Sequence, residues 1–211
     1  MTFLDRLDAA EQLSVALSAY RGTHPLVLAI PRGAVPMARV VSQRLGGELD
    51  VVPVRKLRYP GSPELAMGAI SASGWTYLNP DVSAAVNAQD LAKEKAYQLE
   101  VLHAREAGYF HDREPMSPQG RTVIVVDDGL ATGATMRAAL QAIRQHHPAR
   151  LICAVPVASH EALEKIKPWV DAWVCLSVPE NFHGVGQFYS DFRQVEDEDV
   201  LRILRAVALT P

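Results

Sequence analysis

The chain has 211 residues, 48% of them apolar, with 21 Lys and Arg against 24 Asp and Glu for a net charge of −3. That length suits one α/β domain over residues 1–211, with enough apolar material for a substantial core. The balanced charge gives no reason to propose nucleic acid or an anionic membrane as partner, and no apolar run approaches the roughly 20 residues that a spanning helix needs.

At the N-terminus, Phe3, Leu4, Leu7, Ala10, Leu13 and Leu17 recur at helical spacing and predict an opening helix. Asp5, Arg6, Asp8 and Glu11 interrupt this segment too early for a signal peptide, so a cytoplasmic protein is expected. Residues 26–30 (LVLAI), between Pro25 and Pro31, read as a buried parallel strand. A helix over 35–45 follows, stopped by Gly46-Gly47, and then a strand over 50–54. Residues 56–63 (KLRYPGSP) carry two prolines and a glycine among polar groups and read as a loop, with Glu64 a hydrated loop acid. Residues 65–71 and 75–78 suit a hairpin across Ser73-Gly74, and 88–110 is a long helix.

The second half alternates more regularly. A near-continuous apolar strand over 121–127 (RTVIVVD) leads into a loop over 128–133 and a helix over 134–145. A strand over 151–157, a helix over 160–167, a strand over 172–178 and a last helix over 197–209 complete the chain. This order predicts a mostly parallel sheet with helices on both faces. Cys153 and Cys175 sit in apolar runs without metal-site spacing and read as free thiols in a reducing compartment. Trp169 and Trp173 read as core or interface residues, and His146-His147 as a solvated helix end.

The segment VIVVDDGLATGAT, residues 123–135, concentrates the chemistry. Ligands of open α/β sheets bind at the carboxyl ends of strands, where Asp127 and Asp128 fall. Adjacent carboxylates there can accept hydrogen bonds from neighbouring sugar hydroxyls. In the following loop, successive N–H groups and the start of the next helix can form a nest for a phosphate, with Thr132 and Thr135 adding hydroxyl donors. Other phosphate motifs do not fit. Gly133 is followed by Ala134 rather than by the Lys-Ser/Thr of a P-loop, Gly129 and Gly133 lack dinucleotide-fingerprint spacing, and the two acids are adjacent rather than separated by one residue as in aspartyl phosphatases.

This stretch resembles, at all thirteen positions, the 5-phosphoribosyl-1-diphosphate (PRPP) motif of type I phosphoribosyltransferases. The resemblance implies that Asp127 and Asp128 hold the ribose 2- and 3-hydroxyls. It implies also that Gly129, Leu130, Ala131, Thr132, Gly133, Ala134 and Thr135 wrap the 5-phosphate. A second match is Ile30-Pro31-Arg32-Gly33-Ala34-Val35-Pro36, where the family places its diphosphate loop; Arg32 would donate to diphosphate oxygens and Gly33 would let backbone approach. Members often hold a non-proline cis peptide there, expected here around Arg32–Gly33. A third match, Val54-Arg55-Lys56, makes Arg55 and Lys56 diphosphate candidates and places residues 57–63 where the family carries a mobile hood.

The segments PRGAVPMA, VRKLRYPGSPELAMGAI and FHGVGQFYSDFRQVEDEDV are similar to a poorly characterised branch of the family, one whose acceptor the sequence does not name. Hypoxanthine–guanine enzymes carry an acid where Ala131 stands, so a 6-oxopurine acceptor is disfavoured; Gly129 departs from the adenine-type pattern as well.

The implied activity is transfer of the phosphoribosyl group of PRPP to a nitrogen nucleophile with release of diphosphate. Arg32, Lys56, Asp127 and Asp128 would be the working residues, and Mg²⁺ would be carried by PRPP near the two acids rather than ligated directly. The alternative is a PRPP- or nucleotide-sensing protein without turnover. The family's habit suggests a homodimer. The tail over 179–192 is expected to close over the site, with Phe182, Phe188 and Tyr189 forming an acceptor pocket and Gly184 and Gly186 letting the backbone turn sharply between them, and His183 a weaker candidate.

Overall fold

The computed structural model describes residues 2–111 and 113–208. Its centre is a five-stranded parallel sheet in the order β2-β1-β6-β7-β8, formed by β1 (Leu26–Ala29), β2 (Glu48–Val51), β6 (Thr122–Val126), β7 (Arg150–Val157) and β8 (Ala172–Ser177). All four residues of β1 are buried, as a strand covered on both faces must be. Alternation along β6 divides the core. Ile124 and Val126 face α1 (Arg6–Ala16), α2 (Val35–Leu45) and α7 (Asp197–Ala208), while Val123 and Val125 face α5 (Ala134–Arg144) and α6 (His160–Ile166).

A second, antiparallel sheet of β3 (Val54–Tyr59), β4 (Ser62–Ser71) and β5 (Thr76–Leu78) stands beside the first. After the short α3 (Pro80–Ser83), α4 (Ala88–Tyr109) covers one face of this sheet, where Leu57, Met67, Ile70 and Leu102 form a small core of their own. The other face meets α5. There the Arg137 guanidinium lies 4.0 Å from the Tyr77 ring centre and 4.9 Å from that of Trp169, so one cation ties β5 to the main domain's helix layer.

Three expectations are corrected. The strand expected over 50–54 is split, because Pro53 offers no N–H to continue a ladder; β2 ends at Val51, and Val54 starts the second sheet. The loop expected over 56–63 is a hairpin, in which Tyr59 pairs with Ser62 across a two-residue Pro60-Gly61 turn. Its proline and glycine are turn residues, and the segments flanking them are strand. The opening helix begins at Arg6, capped by the Asp5 carboxylate, which accepts from Leu7 N and Asp8 N at 2.8 and 2.9 Å. Phe3 and Leu4 therefore precede it. Phe3 is buried against Tyr189, whereas Leu4 and Leu7 are exposed. The last helix follows its expected course to Ala208; Leu209 lies outside the described residues, as does the Glu64 side chain.

Candidate functional site

The carboxyl ends of β1 and β6 open onto a cleft of about 420 Å³, faced from the other side by β3 and α4. Its floor is the loop from Asp127 to Gly133. Leu130 N donates to Val157 O at 2.9 Å, Ser159 N to Leu130 O at 2.9 Å, and Ser159 Oγ to Ala131 O at 2.8 Å, which pins the loop to the end of β7. Among the described residues, the N–H groups of Ala131, Thr132, Gly133 and Thr135 have no acceptor. Gly133 caps α5 with φ +73°, a left-handed conformation that an L side chain resists. Free donors at a helix start form a ready anion site.

Asp127 and Asp128 line the cleft directly beside that loop. Asp128 N donates to Asp127 Oδ1 at 2.9 Å. Burial raises the proton affinity of both carboxyls; for Asp127 the negative neighbour Asp128 adds to the rise, while for Asp128 the Arg6 guanidinium opposes it. Arg6, from the start of α1, places Nη2 2.9 Å and Nε 3.1 Å from Asp128 Oδ2. Tyr189 donates its hydroxyl to the Asp128 carbonyl at 2.6 Å, and burial pushes that phenol well above its ordinary range. Gly33 is required by close approach, since a Cβ there would stand 2.3 Å from Asp128 Oδ2.

The opposite wall is cationic. Arg55, Lys56, Arg58 and Arg105 all line the cleft. Glu94 accepts from Arg58 N at 3.0 Å and Arg58 Nε at 3.1 Å, and Gln98, fully buried, bridges Glu94 to Arg55. Burial and the like charges of Arg105 and Arg58 hold the Arg55 pKa below the usual guanidinium value. Arg105 reaches Asp197 at 3.6 Å.

The expected residues are thus mostly gathered in one place, with two differences. Pro31 and Gly33 line the cleft, but Arg32 turns to Glu196 and Asp197, at 2.8 and 3.6 Å. The non-proline cis bond joins Pro31 to Arg32, one bond earlier than expected. In the tail, Phe182, Phe188 and Tyr189 are not cleft residues. Phe188 and Tyr189 are buried in the core, and Phe182 packs on Phe188 with ring centres 5.4 Å apart. Apolar rings gain more from burial there than from standing beside a charged cleft. Val185 is the tail residue that lines the cleft, against Gly129.

Arg6, Arg58 and Arg105 were missed from sequence. Arg105 lies on a helix face, and only its spatial neighbours reveal it. No helix among the described residues is long and apolar enough to cross a membrane.

Comparison with known proteins matches residues 4–193 to the phosphoribosyl transferase domain family. A Mycobacterium tuberculosis protein named "Putative phosphoribosyl transferase" is 39% identical over 206 residues, which is 96% of this chain and 46% of that protein. The chain spans about half the length of the curated relatives it matches. A crystal structure of TT1426 from Thermus thermophilus is 46% identical, with a TM-score of 0.81 over 97% of this chain and 98% of that one. The structure of the AQ2163 protein from Aquifex aeolicus shares the fold, with a TM-score of 0.50 at 15% identity, covering 86% of this chain and 78% of that one.

Proposed function

Because the chain belongs to the phosphoribosyl transferase domain family, we propose that it is an enzyme that transfers the phosphoribosyl group of PRPP to a nitrogen nucleophile, such as a nucleobase, and releases diphosphate. One observation carries this reading. A paired carboxylate patch, a set of free loop N–H donors and a cationic wall meet in one cleft. The bond from ribose C1 to the diphosphate oxygen breaks, a C1–N bond forms, and the acceptor nitrogen gives up its proton. Asp127 and Asp128 would fix the ribose hydroxyls, residues 129–135 the 5-phosphate, and Lys56 with Arg55 the departing diphosphate.

Magnesium fits as a cation carried by the ligand. The two carboxyls are crowded and raised in proton affinity, so added positive charge beside them is favoured. Among the described residues no group of three or more His, Cys, Asp or Glu could hold a metal unaided. Bound with PRPP, Mg²⁺ would neutralise diphosphate oxygens.

The proposal includes a single working domain, a cytoplasmic location, which the free thiols Cys153 and Cys175 suit, and a homodimer. A second reading, a PRPP or nucleotide sensor, draws on Arg32, which Glu196 and Asp197 hold outside the cleft. Diphosphate release, assayed with PRPP, Mg²⁺ and a panel of nitrogen bases, decides between them. Turnover with any base supports the enzyme, and tight PRPP binding without turnover on every base supports the sensor.

A further inference from the structure

The N-terminal segment and the segment before α7 meet beside the acid pair. Phe3 N donates to Phe188 O at 2.7 Å, Ser190 N to Phe3 O at 2.8 Å, and Asp191 N to Leu4 O at 2.9 Å. The Phe3 and Tyr189 rings lie 5.4 Å apart. This joint leaves two groups directed at one residue: the Tyr189 hydroxyl on the Asp128 carbonyl, and the Arg6 guanidinium on the Asp128 carboxylate.

Arg6 is itself firmly placed. Its Nη1 donates to Arg193 O at 2.7 Å, and its guanidinium carbon lies 3.8 Å from the Phe192 ring centre. Its side chain is 12% exposed. Both Nε and Nη2 go to the same oxygen, Asp128 Oδ2. Among the described residues no side chain donates to Asp128 Oδ1. A bidentate fork would have used both oxygens; this arrangement spends two donors on one and leaves the other without a side-chain donor.

We infer that Arg6 is a positioning residue for sugar recognition: by fixing Oδ2 it holds the Asp128 carboxylate in one orientation with Oδ1 open for a ribose hydroxyl. The inference rests on the phosphoribosyl reading of the cleft. Arg6 has no part in holding the 5-phosphate, whose donors are on residues 131–135. Its loss should therefore separate the two halves of ribose 5-phosphate recognition. Arg6→Ala should leave the N-terminal joint intact, because the backbone pairs of Phe3 and Leu4 and the buried Ala9, Ala10 and Leu13 do not depend on it.

The test is a titration of ribose 5-phosphate and of inorganic phosphate into wild type, Arg6→Ala and Arg6→Lys, with melting curves confirming the fold. Arg6→Ala should weaken ribose 5-phosphate by about 10- to 100-fold, the size of loss seen when a group that orients a metal ligand is removed. Phosphate affinity should stay within about twofold, since the loop donors are untouched. Arg6→Lys, which keeps the charge but not the paired donors, should fall between. Equal loss of both ligands would reduce Arg6 to a structural residue and overturn the inference. Wild-type affinity for ribose 5-phosphate in Arg6→Ala would overturn it as well, while leaving the phosphoribosyl reading standing. A wild-type protein that binds phosphate but gains nothing from the ribose would refute both.

Discussion

The two walls of the cleft are made in opposite ways. The wall with the two acids and the free loop N–H donors is a single run of residues 123–135, a strand, the loop after it and the start of α5. The cationic wall is gathered from β3 and α4, and two of its charges are tied to protein acids, Arg58 to Glu94 and Arg105 to Asp197, while Arg55 donates to Gln98. Arg32, at the edge, is likewise held by Glu196. The first wall is one stretch of backbone, pinned from outside by Val157, Ser159, Arg6 and Tyr189. On the second, Arg58 and Arg105 would have to exchange protein acids for ligand oxygens, whereas Lys56 has no acid partner among the described residues to give up. Substitutions on the first wall should remove binding as a whole, and those on the second should change which ligands are told apart.

The largest effect should come from Asp127→Asn combined with Asp128→Asn. Two charge-assisted bonds at about 1.5–3 kcal/mol each imply a loss of PRPP affinity beyond about a hundredfold. Calorimetry on a folded double variant that still bound PRPP like wild type would remove the acids from ribose recognition. Next, Gly133→Ala should cost about 1–2 kcal/mol of stability, because φ is +73° and the new Cβ would meet Ala162 O at 3.2 Å. It should weaken inorganic phosphate by about tenfold as the helix start shifts, one lost donor contact being worth about 1.4 kcal/mol. Denaturant melts and a phosphate titration check the two halves of that statement.

On the second wall, Lys56→Ala should weaken PRPP by about tenfold and leave ribose 5-phosphate nearly unchanged, since the smaller ligand lacks the diphosphate. Arg32→Ala should do less, because Arg32 is engaged with Glu196. If Arg32→Ala proved the more damaging, the arginine would have to leave its acids when ligand binds. The smallest effect concerns stability. The folded Asp127 carboxyl holds its proton more tightly than it would when unfolded, so its ionisation costs stability at pH above the raised value. As the pH falls through that value the cost fades, and it is absent once both folded and unfolded states are protonated. Asp127→Asn should therefore melt above wild type at neutral pH, by about 2–4 °C for each kcal/mol, with the gain shrinking in acid. A difference that did not change with pH would place the shift elsewhere.

Contiguity decided what the sequence disclosed. The strand over 122–126, its acids and its loop were legible because every part is adjacent, and periodicity and residue type agree. The alternation of strands and helices gave the parallel sheet for the same reason. Arg6 was hidden, since 122 positions separate it from Asp128 and nothing in its helix marks it. Lys56 was found through a motif, whereas Arg105 had none. The hairpin at 54–71 was obscured by Pro60-Gly61, which punctuates a turn as readily as a loop. The aromatic tail misled in another way. Ring composition gives affinity for apolar surroundings but not their location, and Tyr189 packs between its neighbour Phe192 and Phe3, at the far end of the chain.

A crystal structure of the protein with PRPP and Mg²⁺ tests the account most directly. The account predicts the 5-phosphate on the free N–H groups of Ala131, Thr132, Gly133 and Thr135 and the ribose hydroxyls on Asp127 and Asp128. A sugar whose hydroxyls stand away from both carboxylates, or a phosphate bound outside that loop, would contradict it.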